Sequence, residues 1–212
     1  MARLLPPISG AAMVKFGKFK PWIYGKNIDE AYINMVKDLS IYPEVIAKQH
    51  NLLVSVDNTF ATPYLQQPFK YGVDFVFHST TKFLNGHGTA IGGVLIGKDI
   101  ELMQTKVWKW HALLGGNGNP FDAFLLITGM KTLELRMDRH CSNAMIVAQY
   151  LENHPAVAHV NYTGLASHPD FAVSAKQMKH PGALMSFELK GGLETGKQFI
   201  NKLQIFVVSR NS

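Results

Sequence analysis

His78-Ser79-Thr80-Thr81-Lys82-Phe83-Leu84-Asn85-Gly86-His87-Gly88 is the stretch that decides how this chain is read. It leaves a short apolar run, Val73-Asp74-Phe75-Val76-Phe77-His78, which predicts a buried strand. The hydroxyls of Ser79, Thr80 and Thr81 and the amine of Lys82 then fall within one turn of chain. Hydroxyls and backbone N–H groups suit a phosphate, and a lysine beside a phosphate suits a Schiff base. Gly86 and Gly88 let the backbone approach a ligand closely. A polar loop with a solvated lysine has the same spacing, and from these residues alone the two readings stay level.

Moving outward, Leu52-Leu53-Val54-Ser55-Val56 is a second apolar run and ends at Asp57. Ala90-Ile91-Gly92-Gly93-Val94-Leu95-Ile96 is a third. Short, nearly continuous runs of this kind predict central strands covered on both faces. Helical spacing between them predicts an α/β sheet. In open α/β sheets ligands bind beyond the carboxyl ends of the strands, where Asp57 falls. A turn or cap role for Asp57 is the more ordinary expectation when it is taken alone.

The flanks are read in the same way. From Ile28 to His50 the spacing predicts a helix before Pro43 and a short one after it. Asn119 predicts a helix cap with Pro120 at the first position. Met130 to Glu152 predicts a long amphipathic helix with Leu133, Met137, Cys141, Ala144, Val147, Ala148 and Leu151 on its apolar stripe. Ala183 to Leu189 predicts a strand, Gly191-Gly192 a turn, and Thr195 to Ile205 a helix. Met1 to about Gly25 follows no periodic pattern, because Pro6, Pro7, Gly10, Gly17, Pro21 and Gly25 interrupt it.

Composition narrows the classes. The 212 residues are 47% hydrophobic and 17% charged, enough for a real core. No apolar run reaches bilayer length, so no membrane association is expected. The net charge of +6 is dispersed apart from Lys15, Lys18 and Lys20, and nucleic-acid binding is not expected. A mild positive balance suits phosphorylated or carboxylated ligands. The single cysteine, Cys141, predicts a buried thiol in a reducing compartment, and hence a cytoplasmic protein. There is no Gly-Lys-Ser/Thr, and Gly86, Gly88 and Gly92 have the wrong spacing for a dinucleotide turn. The nine histidines show no paired ligand spacing, so no metal is expected.

Two segments together carry a resemblance. Val56-Asp57-Asn58-Thr59-Phe60-Ala61-Thr62-Pro63-Tyr64-Leu65-Gln66-Gln67-Pro68 precedes the lysine segment at a characteristic distance. The pair resembles the signature of the cystathionine/methionine γ-lyase family, pyridoxal-phosphate enzymes of cysteine and methionine metabolism. Similarity runs from about Ile46 to Phe206, through Pro120-Phe121-Asp122-Ala123, Leu135-Arg136-Met137-Asp138-Arg139-His140 and Ser186-Phe187-Glu188-Leu189. Within the family these later stretches are most similar to bacterial methionine γ-lyases.

The resemblance implies an α/β pyridoxal-phosphate-dependent transferase fold of the aspartate-aminotransferase type. It implies a divergent segment over 1–45, a partial cofactor-binding large domain over 46–139, and a connecting helix with a partial C-terminal α/β domain over 140–212. It implies that Lys82 binds pyridoxal 5'-phosphate covalently and moves protons. By the same likeness Asp57 partners the pyridine nitrogen, and Ser79 and Thr81 bind the phosphate. Thr80 falls at a small-residue position between them. The implied activity is γ-elimination on methionine or a related sulfur amino acid. The alternatives are γ-replacement by a synthase of the same family, or a truncated remnant with little activity. The partners implied are a sulfur-containing amino acid and further copies of the chain, as a dimer or tetramer.

The chain departs from the family pattern at both ends. The family's N-terminal arm, ring-stacking aromatic residue, leaving-group tyrosine and glycine-rich phosphate turn have no clear counterpart between Met1 and Ile41. Arg210 does not match the family's carboxylate-binding arginine.

Overall fold

The computed structural model describes Ala11–Met13, Pro21–Tyr24, Ala47 and residues 52–204. The chain divides into two compact units, Met1–Met137 and Asp138–Ser212.

The first unit is built on a five-stranded sheet in the order β1-β2-β3-β4-β5, sequential along the chain. Its strands are β1 (Ala11–Met13), β2 (Pro21–Tyr24), β3 (Leu53–Asp57), β4 (Phe75–Ser79) and β5 (Gly93–Gly97). Only β3 and β4 pair in parallel, with Asp57 opposite Phe77. The other pairs are antiparallel. The crossover from β3 to β4 carries a single helical turn, α1 (Thr62–Leu65), and a 3-10 turn, Pro68–Tyr71. Ala47, Leu52, Val54, Val73 and Val76 form the core against this sheet, with Val56 and Phe69 packed on it. Asp74 ties the two parallel strands from the side, its Oδ2 accepting the Val54 N–H at 2.9 Å.

The third apolar run does form a strand, but not a covered one. Val94, Leu95 and Ile96 are 37%, 43% and 41% exposed, and β5 lies at the edge of the sheet. An apolar run reports that a strand is meant to be covered; it does not report by which segment. The two helices expected between Ile28 and His50 lie outside the described residues, apart from Ala47.

After β5, Asp99 caps a helical stretch, its Oδ1 accepting the Leu102 N–H at 2.9 Å. The stretch runs through α2 (Ile100–Leu102), the turn Met103–Val107 and α3 (Trp108–Leu114). Gly115 ends it in the left-handed region at φ 68°. Asn119 caps α4 (Pro120–Met130) as expected, its Oδ1 accepting the Phe121 N–H at 2.8 Å. The long helix α5 spans Leu133–Glu152, starting later than the sequence suggested because Lys131 and Thr132 turn the chain. Its buried stripe is Leu133, Met137, Cys141, Ala144 and Ala148, at helical i, i+3 and i+4 spacing. Val147 is not part of it and is 42% exposed.

The second unit pairs β6 (Val157–Asn161) and β7 (Ser186–Leu189) antiparallel. It also carries α6 (Phe171–Gln177) and α7 (Gly192–Asn201). Its core joins Ala144, Ala148, Val157, Val160, Tyr162 and Leu165. The Tyr162 hydroxyl donates to the Gly182 carbonyl at 2.8 Å, satisfying a fully buried polar group. Helix α7 starts three residues earlier than the sequence reading. Gly191 and Gly192, both at positive φ, make the turn into it rather than a separate loop. Among the described residues no helix is long and apolar enough to cross a membrane.

Candidate active site

Parallel pairing of β3 and β4 brings their carboxyl ends side by side, and the polar residues of both signature segments begin there. Asp57 is the last residue of β3 and Ser79 the last of β4. Thr59 stitches the two ends together: its N–H donates to Asp57 Oδ1 at 3.0 Å, and its Oγ1 accepts the Ser79 N–H at 2.8 Å. Asp57 and Ser79 are both half-buried.

Asn58 holds the loop that follows. It is fully buried, and its Nδ2 donates to the carbonyls of Thr62 at 3.1 Å and Gln66 at 3.0 Å. Thr62 sits at φ +61°, a region a β-branched residue rarely adopts. Such strain persists only where neighbours over-determine it, and here Asn58 grips the loop from inside.

Thr80–Leu84 forms a wide π-type turn, and Lys82 breaks its helical geometry at φ −91°, ψ −129°. The turn is closed by the Asn85 N–H donating to the Thr80 carbonyl at 3.1 Å and the Gly86 N–H to the Lys82 carbonyl at 2.8 Å. Thr80 is buried beneath it. A side chain at Gly92 would press on the Thr80 hydroxyl, so Gly92 permits the close approach. Thr81 Oγ1 accepts the Gly92 N–H at 3.0 Å and donates to the Gly92 carbonyl at the longer distance of 3.3 Å.

The chemistry available here is that of an amine, a carboxylate and hydroxyls on adjacent strand ends. Among the described residues, the Lys82 amine has no ion-pair partner and the Ser79 hydroxyl no hydrogen-bond partner. The Thr81 proton is only weakly held. This donor set fits a small group bearing both an aldehyde and a phosphate. Among the described residues no three His, Cys, Asp or Glu side chains gather as a metal site.

Sequence reading passed over four residues that support the site. His78, treated as a scattered histidine, is buried on the core side of β4 with its Nδ1 lacking a partner among the described residues. Burial pushes its imidazole below the ordinary value of 6.5, against the opposing pull of the Asp57 charge and the Asn58 backbone. Asn58 and Thr59 lay inside a quoted motif, but only the pairing of the strands shows what they bind. Arg136 is far along the chain, and no local signal links it to Lys82.

Comparison with known proteins gives a consistent picture. Residues 33–212 match the family model described as Cys/Met metabolism PLP-dependent enzyme. An L-methionine gamma-lyase of Porphyromonas gingivalis is 45% identical over 168 residues, 79% of this chain and 42% of that protein. Another, of Pseudomonas deceptionensis, is 48% identical over 162 residues, 76% of this chain and 41% of that protein. A crystal structure of cystathionine gamma synthase from Xanthomonas oryzae pv. oryzae, in complex with aminoacrylate and cysteine, superposes with a TM-score of 0.76. It is 44% identical, with 79% of this chain and 43% of that chain covered. This chain therefore spans about two-fifths of the length of the relatives it matches.

Proposed function

The chain belongs to the Cys/Met metabolism PLP-dependent enzyme family, and on that premise we propose that it acts in a carbon–sulfur lyase performing γ-elimination on methionine or a related sulfur amino acid. The fold is that of the family's pyridoxal-phosphate enzymes, and the resemblance carried by the two signature segments is borne out. The observation that carries the functional reading is the stitched pair of strand ends, with the Lys82 turn directly beyond them.

In this reading Lys82 would hold pyridoxal phosphate through its amine, Ser79 and Thr81 would hold the phosphate, and Asp57 would partner the pyridine nitrogen. Bound there, the cofactor supplies an electron sink for carbanion chemistry. Asp57 keeps a proton on the ring nitrogen, because a carboxylate beside it favours the charged form. With the substrate's amino group in its place, the Lys82 amine would accept the α-proton and then a β-proton, whose electron pair expels the sulfur from Cγ, and would return protons to the carbons afterwards. The Cγ–S bond breaks, the sulfur leaves as a thiolate and takes up a proton. Water then releases a 2-keto acid and ammonia. The whole protein is proposed to work as a homo-oligomer in the cytoplasm, with residues 46–139 as its cofactor-binding portion.

A synthase reading has its own support, since cystathionine gamma synthases stand among the similar structures. Purified protein is incubated with pyridoxal phosphate, reduced with borohydride and digested. Mass spectrometry is expected to find the pyridoxyl group on the Lys82 peptide. A keto acid formed from methionine supports the lyase; cystathionine or homocysteine formed from an acylated homoserine supports the synthase. A label on any other lysine, with Lys82 clear, overturns both.

A further inference from the structure

Arg136 lies in the first turn of α5, yet its guanidinium is spent on backbone of other segments. Nη1 donates to the Phe83 carbonyl at 2.8 Å and Nη2 to the Gly129 carbonyl at 2.8 Å. Nε donates to Thr132 Oγ1 at 3.1 Å. Phe83 directly follows Lys82, and Gly129 lies in the last turn of α4. A planar fork of fixed donors suits this task of gripping two carbonyls at once; a lysine offers only one flexible point.

The surroundings are cut to admit the guanidinium. Gly86 sits at φ +73°, and a side chain there would run into Arg136. A side chain at Gly129 would run into the Asn85 carbonyl. Two glycines thus let the Lys82 turn, the end of α4 and the guanidinium close on one another. The turn breaks helical geometry at Lys82, so regular helical bonding does not by itself fix that residue's direction.

We propose that Arg136 is a positioning residue: by clamping the carbonyls of Phe83 and Gly129 it holds the turn that aims the Lys82 amine. This rests on the reading of Lys82 as the cofactor lysine and deepens it. Displacement of a reacting group by about 1 Å can cost on the order of 100-fold in rate.

The test uses the full chain with Arg136→Met, Arg136→Lys and, from the opposite side of the clamp, Gly86→Ala. Hydrogen–deuterium exchange of the Asn85 and Gly86 amides is expected to rise at least tenfold in Arg136→Met and Gly86→Ala, and less in Arg136→Lys. Exchange in β6 and β7 stays unchanged. The rate at which pyridoxal phosphate becomes borohydride-trappable on Lys82 is expected to fall at least tenfold in Arg136→Met, with partial return in Arg136→Lys. A residue that merely stabilised the fold would raise exchange throughout the first unit and leave trapping per folded molecule unchanged. Wild-type exchange at Asn85 and Gly86, or wild-type trapping, in Arg136→Met overturns the proposal. If unsubstituted protein traps nothing on Lys82, the cofactor reading fails, and the exchange measurement still decides whether Arg136 holds the turn.

Discussion

At the scale of single residues, buried polar groups set the sharpest expectations. Asn58→Ala removes two hydrogen bonds from a fully buried side chain and leaves the Thr62 and Gln66 carbonyls without that donor. A loss of about 2–3 kcal/mol in unfolding free energy by urea titration is expected. His78 gives a pH dependence. Its folded pKa lies below 6.5, so below that value the unfolded chain binds more protons, and stability falls as pH drops. The slope cannot exceed about 1.4 kcal/mol per pH unit from this one group. Melting between pH 8 and 5 is expected to show that loss, and His78→Gln to flatten it. Tyr162 works at the other end of the scale. Burial pushes its hydroxyl from 10.0 up to about 12, so the folded state keeps its proton longer than the unfolded. Its stabilising share is present below pH 10 and is lost as pH rises toward 12. Tyr162→Phe is expected to remove that alkaline loss, at a cost of about 1 kcal/mol near neutrality from the unpaired Gly182 carbonyl.

At the scale of elements, patterns that depend on near neighbours were legible and patterns that depend on distant ones were not. The Asn119–Pro120 start of α4 and the apolar stripe of α5 follow from spacing, because capping and helical periodicity are local physics. The edge position of β5 does not, because strand order is settled by pairing. Helix α4 shows the same limit from another side. Nothing in its local sequence sets which of its apolar faces is covered, and Phe121, Phe124 and Ile127 are 63%, 61% and 61% exposed. Gly129 on the same helix meets the Asn85 carbonyl so closely that Gly129→Ala must push the helix off the Lys82 turn. A cost of about 1–3 kcal/mol by denaturant titration is expected, as for other overpacked contacts.

At the scale of the whole molecule, β5, α3 and α4 expose many large apolar side chains, among them Leu95, Ile96, Trp108, Leu113, Leu114, Phe121, Phe124 and Ile127. Self-association is therefore expected, read as a sedimentation coefficient that rises with concentration. Phe121→Ser with Phe124→Ser is expected to reduce it. No rise over a hundredfold range of concentration would mean that these surfaces are covered by other parts of the chain.

The sequence by itself determined the family and the helices whose caps and stripes are written in short-range spacing. Recognition needs only residue identities in order, and a cap needs only its own turn. What tertiary structure decided is how distant residues hold the two strand ends and the turn beyond them: Thr59 joining the ends of β3 and β4, His78 buried within the pull of the Asp57 charge, and Arg136 reaching back across 53 residues to the Phe83 carbonyl. Those contacts exist only once β3 and β4 pair and α4 turns into α5, and no window of sequence contains both partners.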